Sequence, residues 1–415
     1  MKRIALFLLL AIGLAGISCE EKNQEPLEEY LVAVPLTMSE DEFRNSVDIV
    51  PPLPIDESGK IYTFEDLIFV NDKYRGIHVI DNSNPHAPLK QSFIKIPGNV
   101  DIAVKDNFLY ADSIRDLLVF DISDINNIRL VNRLINVLRE NIVWPFEADV
   151  IDYALLGDGS DVLIGWDLQT QLLTQEEFEQ RFGFTDDILV LETANADSSV
   201  GQGGSLARFN IVNDYLYAVD SHSINVFEIS DLEHPQDMED VYAGFDIETL
   251  FHNGQYLFLG SMRGMYIYDI SNPAVPEFVS EFQHGTACDP VVVDGDYAYV
   301  TLRGGSACGA LESGLFIVDI SDIRAPTLAT SYPMDEPYGL GIKEEKLFIC
   351  DGASGLKVYD KTDIEQLITL DHFEDIVTFD VIPMESYLLM VGEDVLYQYE
   401  YQDNSIDLVS RLELN

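Results

Sequence analysis

A chain of 415 residues with 47% apolar content carries enough hydrophobic material for a packed core, which excludes wholesale disorder. Its formal net charge of −49 repels nucleic-acid phosphates and anionic headgroups, and so argues against a DNA, RNA or peripheral lipid-binding role. Cationic partners and divalent ions stay compatible with that charge, as does solubility alone.

Lys2 and Arg3 precede an apolar run over residues 4–17, too short to span a bilayer, and Ser18 and Cys19 come next. That order predicts an export signal over residues 1–18. Gly16-Ile17-Ser18-Cys19 resembles a bacterial lipobox, although glycine stands where leucine is usual, as in the looser lipoboxes of Bacteroidetes. The resemblance implies a lipid on Cys19, with an ordinary secretory leader as the alternative. Glu20-Glu21 resembles a surface-export tag. The implied address is the outer membrane, at the cell surface or facing the periplasm, with the lipid as the only membrane contact. Residues 19–59 read as a tether and lead-in, mobile over 20–29. Within them, Ser39-Glu40-Asp41-Glu42 fits a capping box and predicts a short helix over 40–46. Pro51-Pro52-Leu53-Pro54 stiffens the entry to the first repeat.

From residue 60 a short motif recurs. It is written GIHVIDNSNP at 76–85, LLVFDISD at 117–124, INVFEISD at 224–231 and MYIYDISNP at 265–273. It returns as LFIVDISD at 315–322, LKVYDKTD at 356–363 and a blurred LYQYEYQDN at 396–404. Each is a β-branched and aromatic run ending in an acid and a turn, the pattern of a strand buried on both faces. The acids fall at Asp81, Asp121, Glu228, Asp269, Asp319, Asp360 and Glu400, spaced 40 or 41 residues apart except for one interval of 50 and one of 107. Asp106-Asn107, Asn213-Asp214, Gly295-Asp296 and Glu344-Glu345 punctuate the preceding segments as two-residue hairpin turns. A unit of this length with several strands predicts an all-β fold, a β-propeller of seven four-stranded blades over residues 60–415. The strand-ending acid recurs where one ligand cannot reach every copy, so it reads as an acceptor for turn amides.

The interval of 107 residues holds either an insertion over 139–204 or an eighth, degenerate blade with residues 162–167 (VLIGWD) as its buried strand. Thr174-Gln175-Glu176-Glu177 is a capping box that opens a short helix with Phe178 and Phe182 on one face, and residues 193–205 form a polar link. We therefore expect an inserted loop and helix and seven blades. Trp144 and Trp166 mark that insertion as a candidate sugar- or protein-binding surface, unless they merely glue it to the rim.

The motifs at 76–85, 315–322 and 356–360 resemble the LVIVD-repeat family of bacterial β-propeller proteins, in its Bacteroidetes surface-lipoprotein form. Residues 98–104 with 109–113, and 288–293 with 297–302, strengthen the likeness, which spans roughly residues 60–415. The resemblance implies the fold and brings no reaction or catalytic residue. Trp166-Asp167 is the only Trp-Asp dipeptide, and no unit carries the Gly-His of WD40 blades.

Where each unit begins its first strand or ends its second, polar residues accumulate. Asp101, Asp289 and Asp380 sit at the first position and Asp112, Asp220 and Asp351 at the second, with Asn71, Arg303 and Tyr338 nearby. On a propeller they would gather at one mouth of the central channel and bind a cation, a basic peptide or a sugar, or they would cap turns. No cofactor is indicated, though a divalent ion such as calcium would suit an acidic rim. Cys288 and Cys308 are the candidate disulfide of an oxidising compartment, and Cys350 reads as a buried strand residue. His78 reads as a satisfied core residue. The chain lacks G-x-S-x-G, H-E-x-x-H and P-loop signatures, and no zinc-ligand pairs sit at short spacing. Two functions emerge: a surface-anchored propeller that binds or scaffolds an unknown protein or glycan, or a glycan- or peptide-active hydrolase or lyase using mouth carboxylates.

Overall fold

The computed structural model describes residues 26–55, 58–138, 145, 148–157, 159–182, 205–245, 247–283, 290–303 and 313–414. Seven antiparallel sheets succeed one another along the chain. Blade 1 runs Ser58–Phe64, Leu67–Asp72, Gly76–Asp81 and Leu89–Lys95; blade 2 runs Ile102–Lys105, Phe108–Ser113, Asp116–Asp121 and Arg129–Leu134. Blade 3 comprises Phe209–Val212, Tyr215–Val219, Ser223–Glu228 and two short outer pieces, Gln236–Asp237 and Val241–Tyr242. Blades 4 to 7 are meanders of the same design, with third strands Gly264–Asp269, Gly314–Asp319, Leu356–Asp360 and Val395–Tyr401. The second and third strands are the most buried and the fourth the most exposed, as radial packing requires.

Each interface between successive blades holds one apolar cluster. Phe69, Val79 and Leu118 join blades 1 and 2, Tyr110, Val119 and Leu216 blades 2 and 3, and Val226, Leu250 and Leu259 blades 3 and 4. Ile267 with Val300, Ile317 with Leu347, and Phe348 with Met390 continue the series. Ile61, Ile68 and Val70 then meet Leu389, Val391 and Leu396, which closes the ring from blade 7 to blade 1. No strand is shared at that closure. It is held instead by the reciprocal amides of Asn82 and Gln398 (3.0 and 2.8 Å), by Ile55 N–H on the Leu414 carbonyl (3.0 Å), and by Ser410 Oγ on the Pro85 carbonyl (2.6 Å). Seven blades, rather than eight, make the ring.

The recurring acid does two jobs through one turn. Asp81, Asp121, Glu228, Asp269, Asp319 and Asp360 each accept the backbone N–H two residues on, at 2.6 to 3.0 Å. Side-chain and backbone hydrogen bonds from that Ser or Thr together hold the aspartates of this set below the usual carboxylate range. The capped turn then presents the carbonyl of the residue four after the acid to the preceding blade. Tyr110 donates to Leu232 O (2.8 Å), Tyr217 to Pro273 O (2.8 Å), Ser280 to Ile323 O (2.6 Å), Tyr332 to Ile364 O (2.6 Å) and Ser410 to Pro85 O (2.6 Å). The hairpin turns are equally regular: Glu65, Asp106, Asn213, Gly295 and Glu344 all take φ between 51° and 56°.

The lead-in is more ordered than its composition suggests. Glu28–Met38 is a strand, not part of a tether, and it lies between Val150–Ile151 and Val162–Leu173. Its Val32 and Ala33 are fully buried, and a strand with such a face needs a partner sheet. Residues 162–167 are therefore the antiparallel partner of this lead-in strand, not the core of an extra blade. The predicted helix forms as Glu40–Asn45, with Ser39 Oγ accepting from Glu42 N and Phe43 buried against Ile114 and Val162. The second forms as Gln175–Phe182, and Phe178 stacks on Tyr30 at 4.2 Å. Asp48–Val50 adds a fifth, outer strand to blade 1. Among the described residues no helix is long and apolar enough to cross a membrane.

Tyr217→Phe and Tyr110→Phe should each lower the unfolding free energy by about 1 kcal/mol, since each leaves a turn carbonyl without its donor. Urea titration checks this, and the two losses should add. Asp319→Ala should lower the urea midpoint at pH 7. A carboxylate with a depressed folded pKa contributes stability above its unfolded pKa, and that stability is lost as pH falls through the folded pKa. The gap between Asp319→Ala and the native protein should therefore close in acid.

Candidate functional site

One residue at the start of each inner strand or just before it lies at the same register in every blade: Lys60, Asp101, Arg208, Thr249, Pro290, Gly339 and Asp380. Opposite charges alternate along blades 7, 1, 2 and 3 as Asp380, Lys60, Asp101 and Arg208, all four buried. Lys60 Nζ lies 3.0 Å from Asp101 Oδ2. The same oxygen accepts Arg208 N–H and, at 3.0 Å, Phe209 N–H, so Asp101 ties three blades together. Burial pushes the Lys60 ammonium pKa down, and Asp101 offsets part of that shift. Arg208 Nε reaches the Glu248 carbonyl of blade 4 at 3.4 Å.

A second layer supports this arc. Asn71 donates to Asn99 Oδ1 at 2.8 Å, and Asn99 donates to Asp112 Oδ1 at 2.7 Å. That oxygen also accepts the Val100 and Asp101 amides at 2.9 Å each. Asp112 Oδ2 has no hydrogen-bond partner among the described residues, and burial pushes its carboxyl up to about 6 against the pull of those amides. Asp380 is the extreme case. It is 0% exposed, no side chain among the described residues hydrogen-bonds its oxygens, and burial lifts its pKa well above the ordinary range against the pull of the Val381 amide. It fits only because position 339 is glycine, where a Cβ would lie 2.0 Å from Oδ1.

The return from the insertion crosses this mouth. Ser205 Oγ accepts Leu340 N–H of blade 6 at 2.9 Å, while the Ala207 carbonyl accepts Leu250 N–H of blade 4 at 2.6 Å. Leu206 between them packs against the cluster that joins blades 7 and 1. Residues 205–207 thus strap across the channel and take two of the amides at the inner-strand ends.

Most other residues singled out in the sequence have local structural partners. Asp220 accepts His222 N–H (2.7 Å) and Ser223 N–H (2.8 Å), and Asp351 accepts Glu336 N–H (2.8 Å) and pairs with Lys357, so both cap turns at this end. The Arg303 guanidinium lies over Tyr338, 4.0 Å from its centroid. His78 is buried, its Nε2 3.2 Å from Asp72 Oδ2, in agreement with a core role. Trp166 is buried opposite Pro35. Cys350 is a buried free thiol whose pKa burial raises. Cys19, Trp144, Cys288, Asp289 and Cys308 lie outside the described residues. Lys60, Asn99, Ser205 and Arg208 were not read as site residues. The signal for two of them was present, since opposite charges occupy one repeat position in successive units. Among the described residues no group of three or more His, Cys, Asp and Glu could hold a metal ion.

Asp380→Asn tests the burial of that carboxyl. A carboxyl whose folded pKa is raised loses stability as pH climbs from its unfolded pKa to its folded one. Asp380→Asn should remove that loss and be more stable than the native protein at pH 7 by about 1–3 kcal/mol, converging with it near pH 4. Thermal unfolding across that range measures both.

The LVIVD repeat is matched over residues 98–134, 251–283 and 284–333. No curated protein sequence matches the chain. Among solved structures, Kluyveromyces lactis Hsv2 aligns at 9% identity over 86% of this chain and 99% of its own, with a TM-score of 0.49. Saccharomyces cerevisiae Sqt1 aligns at 8% identity over 92% and 87%, TM-score 0.48. BamB from Moraxella catarrhalis aligns at 10% identity over 88% and 91%, TM-score 0.46. The chain carries LVIVD repeats, and its seven sheets close into a β-propeller.

Proposed function

We propose that this protein is a lipid-anchored surface lipoprotein of the Bacteroidetes type, whose propeller binds or scaffolds a partner through its outer surfaces. The observation that carries the binding reading is the filled mouth. Asp101 is consumed by Lys60 and two amides, Asp112 by three donors, and residues 205–207 cross above them. A hydrolase needs two carboxylates facing a substrate across an open cleft. Here the desolvated pair, Asp112 and Asp380, is sealed from water. One cleft of about 430 Å³ among the described residues is at the opposite, hairpin end, lined by Tyr62, Lys105, Phe209 and Asn213, with no acid in its lining. Anchoring rests on Lys2, Arg3, the apolar run and Cys19.

Metabolic labelling with an alkyne fatty acid should tag the native protein and leave Cys19→Ser unlabelled; equal labelling would sink the anchor. Purified protein should bind saturably to a member of a combined glycan and peptide array without releasing product detectable by mass spectrometry. Turnover that Asp380→Asn or Asp112→Asn abolishes would replace the binding reading with the hydrolase or lyase.

A further inference from the structure

The outer edge of blade 3 is where the repeat breaks. Its outermost strand is split into Gln236–Asp237 and Val241–Tyr242, and between them Met238 N–H still reaches the Val226 carbonyl at 2.9 Å. Opposite the residue before the strand-ending acid, four of the other six blades place an apolar side chain on the outer strand, Leu130, Phe278, Leu328 and Leu408, while blade 1 places Lys90 and blade 6 Thr369. Blade 3 places Asp237 there. Glu239 and Asp240 lie just beyond it, both exposed. Burial, and after it the neighbouring Asp240 charge, raise the Asp237 pKa.

Two aromatic rings stand just past these acids. Tyr242 is 60% exposed and Phe245 50%. They meet edge to face, with centroids 6.0 Å apart and planes at 85°. Their backbone is fixed: Ala243 N–H bonds the His222 carbonyl (2.8 Å), and Tyr268 Oη donates to the Tyr242 carbonyl (3.4 Å). Gly244, at φ 131°, lets the chain pass close to Tyr266, where a Cβ would lie 3.2 Å from Cζ. Other blades expose single apolar side chains on their outer strands, such as Phe278, Leu328 and Leu408, whereas here two aromatic rings are exposed in contact with each other. The guanidinium carbon of the chain's own Arg263 lies 5.5 Å from the Phe245 centroid, so this ring takes a cation on one side.

Exposed rings alone would suit a sugar as well as a peptide. The acids decide between them. On a chain of net charge −49, an acidic run beside two aromatic faces supplies both the long-range potential and the cation–π contact that a guanidinium or ammonium group uses. We propose that the blade 3 edge binds an arginine- or lysine-bearing extended segment of a protein partner, with a side-chain cation at Tyr242 and Phe245 and neighbouring cations along Glu239 and Asp240. This rests on the binding-module reading above and assigns it a place and a partner chemistry.

The test is fluorescence anisotropy of a labelled octapeptide of alternating glycine and arginine, titrated with the full chain at fixed ionic strength. The native protein should bind saturably. Tyr242→Ala/Phe245→Ala should weaken binding tenfold or more, and Leu328→Ala, which removes an exposed apolar side chain from blade 5, should not change it. Glu239→Gln/Asp240→Asn, which keeps both rings, should also weaken binding and decides the matter if the aromatic variant fails to fold. Equal binding by these variants would mean attraction spread over the acidic surface and would overturn the siting while leaving a binding module. Displacement from Tyr242 and Phe245 by a neutral hexasaccharide would overturn the partner class. No peptide binding by the native protein would overturn the proposal, and silence on the glycan and peptide array as well would overturn the reading beneath it.

Discussion

Everything in this molecule depends on a capped turn. A strand-ending acid takes the amide two residues on, and this fixes a carbonyl four residues on for the neighbouring blade to grasp. One neutral hydrogen bond contributes only about 1 kcal/mol, so no single contact of this kind holds the ring. Repetition at five of the interfaces does more, because each contact also fixes the angle at which two sheets meet. The apolar clusters supply the bulk of the stabilisation, and the turns supply the geometry. This explains why the acid recurs as faithfully as the apolar run before it.

Charge is put to a second use at the channel mouth. Burying an isolated Asp101 or Lys60 would be costly, but the two face each other from neighbouring blades. Asp101 does most, with contacts to blades 1 and 3 from a loop in blade 2. Asp380 is different: it packs against Gly339 on one side, and the Val381 amide and the charge of Lys60 offset only part of the effect of its burial. The strap of residues 205–207 completes the seal with backbone and hydroxyl groups, not with charge. A surface rich in acids therefore does not translate into an open acidic site at the mouth.

Much of the architecture was legible in the sequence because it repeats. The spacing of Asp269, Asp319 and Asp360, the turn dipeptides and the two capping boxes all announce local structure through local chemistry. The pairing of Glu28–Met38 with Val162–Leu173 was not legible, since it joins segments more than a hundred residues apart and neither repeats. The acids of the mouth were placed at the right end of the blades, but their partners were missed. Lys60 and Arg208 sit in units whose sequences look unrelated until the register is known. The aromatic edge of blade 3 escaped for the opposite reason: Tyr242 and Phe245 look like ordinary strand residues, and only the interrupted pairing exposes them.

A protein built this way keeps its recurring residues for architecture and leaves partner recognition to interruptions such as the blade 3 edge. That division predicts two populations of aspartate, which carboxyl-carbon NMR titration of the intact protein separates in one measurement. Asp81, Asp121, Asp269, Asp319 and Asp360 should titrate below free aspartate, Asp112 near 6, and Asp380 higher than free aspartate. Asp112 and Asp380 titrating like free aspartate would mean a wet, open mouth and would contradict the account.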